Sequence, residues 1–203
     1  MRKEFVSELI GTFSMVFIGC LAIKNGHSAP IVSLAFGIAV CLVILISRKY
    51  SGAHINPAVS IAFAITGELE RRLLPVYLAG QFLGALIAGL LIGEYGATEF
   101  STGLSFGIII EIFITFALML SIYLTIWHTD SDLFVAVVVG VMVALLAFYF
   151  GEYTGASMNP ARTLGPNVAS RSFNLIPIYF AATILGSTIA AVFAKKIHYN
   201  NKN

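Results

Sequence analysis

Few residues of this chain could do chemistry, and most of those that could come in matched pairs. Asn56-Pro57-Ala58 recurs as Asn159-Pro160-Ala161, and one acid stands 48 residues upstream of each asparagine, Glu8 and Glu111. Asn is a favoured helix N-cap and Pro a favoured first helical residue, so each tripeptide reads as a helix start. The capping oxygen fixes the amide and leaves its N–H donors for a water or hydroxyl oxygen. Arg162 follows the second tripeptide, where the first has the apolar Val59. The two acids allow two roles. They could relay protons, or each could accept hydrogen bonds from the backbone N–H groups of a buried loop. Their equal spacing favours the structural role. Nothing resembles a nucleophile–base pair, so an enzyme is not expected. His27, His54, His128 and His198 are scattered, and Cys20 and Cys41 sit in apolar stretches without CxxC spacing. No metal or cofactor site is therefore expected.

The elements that must position these groups lie in a membrane. The chain is 58% hydrophobic and only 11% charged, with a mean hydropathy of +0.90. Soluble domains carry about 25% charged residues. A net charge of +2 with no long basic run gives no reason to expect nucleic acid as a partner. The first apolar stretch carries Glu8 and is too long for a cleavable signal, so it reads as a span. Six stretches are long enough to cross as helices, at 4–23, 30–47, 74–92, 104–126, 133–150 and 174–194. Two apolar pieces, 57–66 and 160–170, reach only halfway. The expected fold is thus an all-α membrane protein with six spans and two re-entrant half-helices.

Arg2, Lys3, Arg48, Lys49, Arg71, Arg72, Lys195, Lys196 and Lys202 fall on one side, against Lys24, Arg162 and Arg171 on the other. That bias places both termini in the cytoplasm. Adding 103 to a first-half number carries Glu8 to Glu111, Gly37 to Gly140, Gly52 to Gly155 and Asn56 to Asn159. Repeats of about 1–100 and 101–203 then form one domain. With three spans per half, the second copy is inverted, and the half-helix N-termini meet near the midplane. Gly52, Ala53, His54 and Ile55, and Gly155, Ala156, Ser157 and Met158, must run as non-helical backbone at membrane depth. This is tolerated only where it is buried or lines a wet cavity. Small-residue rows at Gly80, Gly84 and Ala88 and at Gly186, Ala190 and Ala194 suit close helix packing.

These features resemble the aquaporin family, the major intrinsic proteins, which includes the glycerol facilitators. The resemblance runs from Glu8-Leu9-Ile10-Gly11-Thr12-Phe13 through Ser51-Gly52-Ala53-His54-Ile55-Asn56-Pro57-Ala58-Val59 to Met158-Asn159-Pro160-Ala161-Arg162. It implies a pore in each subunit of a homotetramer; the expected location is the lipid bilayer of the plasma (cell inner) membrane. It also places the four residues of an outer selectivity filter at Phe36, Ala147, Ala156 and Arg162. Strict water channels have His where Ala147 stands, and glycerol facilitators an aromatic where Ala156 stands. Two alanines opposite one aromatic imply a wide, amphipathic aperture for water and glycerol-sized neutral solutes. Other positions pull away from the glycerol facilitators: Thr163 replaces their Asp, and Asn167 their basic residue. Tyr179-Phe180 resembles water channels, and Thr163-Leu164-Gly165-Pro166 the plant nodulin-like branch. The expected function is a passive channel that excludes protons and ions. The alternatives are a strictly water-selective channel and a proton-coupled secondary transporter using Glu8 and Glu111.

Overall fold

The computed structural model describes residues 1–200; Lys202, counted above for orientation, lies outside the described residues. Those residues form eight α-helices: α1 (Arg2–Lys24), α2 (Ala29–Ser51), α3 (Pro57–Thr66), α4 (Leu74–Ile92), α5 (Leu104–His128), α6 (Asp132–Thr154), α7 (Pro160–Ala169) and α8 (Ile176–Asn200). Six are long and apolar enough to cross a membrane, while α3 and α7 have ten residues each. At about 1.5 Å per residue these two reach halfway.

The helix ends differ from the expected spans where a backbone stop replaces a hydropathy edge. α2 and α6 were expected to end near 47 and 150. They run on to Ser51 and Thr154, where Gly52 (φ 80°) and Gly155 (φ 71°) take the left-handed conformation. That conformation suits glycine, which has no Cβ to clash. Ser51 and Thr154 are therefore last helical residues, and their side chains begin the loops. α8 starts at Ile176 after a turn and continues past Lys195 to Asn200.

Each half repeats one arrangement. α1 packs on α4 and α2, and α5 packs on α8 and α6. The halves join along α2 and α6, where Gly37 and Gly140 face each other's backbone. A Cβ on Gly37 would meet the Gly140 carbonyl oxygen, and one on Gly140 the Gly37 carbonyl oxygen. The half-helices are exchanged, with α3 against α8 and α7 against α4. The small-residue rows do the packing expected of them: Gly84 lies on the Leu9 carbonyl and Gly186 on the equivalent Ile112 carbonyl. The outside of the bundle is apolar, with Ile38, Leu42, Leu90, Phe113 and Val141 exposed, while Glu8, Gln81, Glu111 and Asn167 are fully buried. Apolar surface outside and paired polar groups within is the pattern set by lipid as the solvent.

Candidate functional site

One cavity of about 830 Å³ runs along the bundle, from His27 and Glu152 at one end to Arg48 and Glu68 at the other. Its polar side is made by the two loops before α3 and α7. All the expected loop residues line it: Gly52, Ala53, His54 and Ile55, and Gly155, Ala156, Ser157 and Met158.

The loops are held in strained shapes from behind. Ala53 (φ 53°), Ile55 (φ 45°), Ala156 (φ 40°) and Met158 (φ 53°) all have positive φ, costly for residues with a Cβ. Glu8 holds the first loop, accepting His54 N (2.9 Å) and Ser51 Oγ (2.6 Å) on Oε1, and Ile55 N (2.6 Å) and Gln81 Nε2 (2.7 Å) on Oε2. Glu111 holds the second, accepting Ser157 N (2.9 Å) and Thr154 Oγ1 (2.7 Å) on Oε1, and Met158 N (3.0 Å) on Oε2. Two tyrosines complete the braces: Tyr77 donates to the Ser51 carbonyl (2.6 Å) and Tyr179 to the Thr154 carbonyl (2.5 Å). Neither acid is among the cavity-lining residues. Of the two roles the sequence leaves open, this geometry supports the structural one.

The same bonds aim the carbonyls. In a trans peptide the C=O points opposite to the N–H of the next residue. With His54 and Ile55 N–H turned back to Glu8, the Ala53 and His54 carbonyls turn away from it, to the cavity side. Ala156 and Ser157 follow the same logic in the second loop.

The loops end at the two asparagines, which meet at the centre. Asn56 Oδ1 caps α3 through Ala58 N (2.9 Å), and Asn159 Oδ1 caps α7 through Ala161 N (2.9 Å) and Arg162 N (3.3 Å). The amides also cross over. Asn56 Nδ2 donates to the Met158 carbonyl (2.8 Å) and Asn159 Nδ2 to the Ile55 carbonyl (2.9 Å). The sequence reading left both N–H groups of each amide for the pore. One of each instead ties the opposite loop, because the end of that loop presents a carbonyl with no helical partner. One N–H per asparagine remains for a passing oxygen.

The four residues expected at an outer filter, Phe36, Ala147, Ala156 and Arg162, all line the cavity. The Arg162 guanidinium lies 5.0 Å from the Phe36 ring centroid, and its Nη1 donates to the Gly96 carbonyl (2.5 Å). At 4% exposure Arg162 is packed in place rather than snorkelling to the surface. The Phe36 ring rests on Gly19 of α1, where a Cβ would overlap it. His54 has Ser60 Oγ 3.0 Å from its Nδ1 and packs between Phe63 (4.9 Å) and Tyr77 (4.7 Å). Among the described residues no cluster of His, Cys, Asp or Glu could hold a metal ion.

Sequence reasoning missed the apolar wall opposite the loops. Val32, Val40 and Ile44 of α2 and Val135, Val139 and Val143 of α6 face the cavity at helical spacing, in line with the expected Phe36 and Ala147. These helices are apolar on every face, so no periodic signal separates wall, core and lipid side. It also missed Gly19, Gly96 and the Gln81 and tyrosine braces, all of which depend on contacts distant in sequence.

Comparison with known proteins agrees with this architecture. The model of the family described as Major intrinsic protein matches residues 1–194. Aquaporin NIP1-1 of Zea mays is 34% identical over 98% of this chain and 76% of its own length. Nodulin-26 of Glycine max is 30% identical over 98% of this chain and 79% of its own. The X-ray structure of the aquaglyceroporin from Plasmodium falciparum superposes with a TM-score of 0.83 at 27% identity, covering 97% of this chain and 95% of that one. With inverted half-helices meeting in one cavity and a family match over almost its whole length, the chain belongs to the major intrinsic proteins, the family of aquaporin channels.

Proposed function

We propose that this channel for water and small solutes passes glycerol-sized uncharged molecules as well as water, by passive flow, and excludes protons and ions. The observation that carries the proposal is the crossed asparagine junction inside a cavity that runs between both ends of the bundle. Two half-helix N-termini converge there, each worth about half a positive charge, which opposes cations and protons. Glycerol passage rests on the filter assignment. Ala147 and Ala156 leave space opposite Phe36, and Arg162 offers donors to a hydroxyl. The likeness to an aquaglyceroporin structure supports the same solute class.

Both termini are placed in the cytoplasm by the Lys/Arg bias, in a plasma (cell inner) membrane. The 1–203 chain is read as one channel domain, with repeats dividing near residue 100. Assembly as a homotetramer rests on the family resemblance. In proteoliposomes, osmotic shrinkage and glycerol uptake should both exceed those of empty vesicles, and an internal pH dye should show no added proton leak. Water flux without glycerol flux would make the channel strictly water-selective. Proton influx coupled to solute uptake would replace the channel with a transporter.

A further inference from the structure

The half-helices depart from their symmetry at two polar positions of α7. Arg162 stands where α3 has Val59, and Asn167 where it has Ala64. Both polar residues grip the same segment, the connection between α4 and α5. Arg162 holds the Gly96 carbonyl. Asn167 holds Thr98 two residues later: its Oδ1 accepts from Thr98 N (2.8 Å) and Thr98 Oγ1 (3.2 Å), and its Nδ2 donates to the Thr98 carbonyl (3.0 Å). The second Nδ2 donor goes to the Ser172 carbonyl (3.1 Å). Asn167 and Thr98 are both 0% exposed, and Asn167 does not line the cavity. Between the two grips, Ala97 does line it. Thr98 also backs onto Gly155, the residue before Ala156; a Cβ added to Gly155 would press on it. Residues 96–98 thus form a wall behind the filter, pinned at both ends by one half-helix.

We infer that Asn167 is a positioning residue for solute selectivity: by clamping Thr98 it fixes the Gly96 carbonyl, and through that carbonyl the Arg162 guanidinium. The inference rests on the proposed filter at Arg162. An amide is the side chain suited to this clamp, because Thr98 offers one backbone donor and one backbone acceptor and Asn matches both. Ala at 167 leaves Thr98 N and O without partners in a buried site, and the segment must move to recover them.

The test uses the full chain in proteoliposomes, with water, glycerol and sodium fluxes normalised to incorporated protein. The variants are Asn167→Ala, Arg162→Ala and the double variant. Asn167→Ala should shift the glycerol-to-water ratio towards the Arg162→Ala value by about fivefold, the change expected from losing one net hydrogen bond. In the Arg162→Ala background the same substitution should add nothing, because it acts through Arg162. A loss of fold alone would lower all fluxes together and leave the ratio unmoved. If Asn167→Ala does not insert, Asn167→Ser takes its place with the same expectation. An unchanged ratio, or an equal shift with and without Arg162, overturns the inference. A wild type that carries no water flux overturns the proposed function instead.

Discussion

Replacing Glu111 by Gln changes almost no volume and isolates the brace behind the second loop. The carboxylate accepts two donors on Oε1 and one on Oε2. The least damaging orientation of the new amide keeps its oxygen toward Thr154 and Ser157 and turns its NH2 to Met158 N. One buried backbone N–H is then left facing another donor, which costs about 1–3 kcal/mol. The two retained bonds lose their charge assistance, roughly another 1 kcal/mol each. Relief from burying a charge offsets part of this, leaving a net loss on the order of 2–4 kcal/mol. In thermal unfolding of the detergent-solubilised protein, that corresponds to a midpoint lowered by roughly 5–10 °C. The loss also reaches the pore. Met158 is held at φ 53°, and its carbonyl accepts from Asn56. Freed from Glu111, that residue relaxes and slackens the central junction, so water flux per channel should fall as well. An unchanged midpoint with full water flux would refute the brace. Unchanged stability with loss of proton-coupled uptake would restore the relay role.

Gly19→Ala should push the Phe36 ring into the aperture and lower glycerol flux more than water flux; proportional losses would remove Gly19 from the filter's support. Asn159→Asp keeps the cap on α7 but sets a charge against the Ile55 carbonyl, so a cation leak should appear in a sodium-flux assay, and its absence would count against a central role for the amide donor. Asp132→Asn removes the ion pair with Arg48 at the cavity's end, where the side chains are 23% (Arg48) and 47% (Asp132) exposed. A pair so exposed contributes under about 1 kcal/mol, and the unfolding midpoint should stay within a degree or two.

Both half-helices and all six spans were legible in the sequence, because lipid forbids unsatisfied backbone and so ties apolar length to structure. The acids were legible too, since charge inside an apolar helix stands out and Glu8 and Glu111 mark the same point of a repeat. What the asparagines do to each other was not. The motif predicts each cap, but the acceptors of the crossed bonds are the Ile55 and Met158 carbonyls, and every residue has a carbonyl. The support of the proposed filter was hidden for a similar reason. Gly19 acts by lacking a side chain, and Gly96 through its backbone oxygen. Asn167 was visible only as a departure from the glycerol facilitators; its clamp appears when the chain between α4 and α5 folds back over it.

The proposed exclusion of ions has two sources of similar strength at different depths. Two half-helix N-termini at about half a charge each amount together to roughly one unit of positive charge at the asparagine junction. Arg162 adds one more at the proposed outer filter. Neither the apolar wall of Val40 and Val143 nor the loop carbonyls facing it can replace the hydration shell of an ion. Removing Arg162 therefore takes away one barrier and leaves the other. Arg162→Ala should let cations into the outer half and raise sodium leak measurably, but well short of free conduction. Leak should become large only when the central amides are changed as well, as in Arg162→Ala with Asn159→Asp. If Arg162→Ala alone conducts sodium as freely as that double variant, the convergence of the half-helices contributes nothing to ion exclusion, and the barrier belongs to the filter alone.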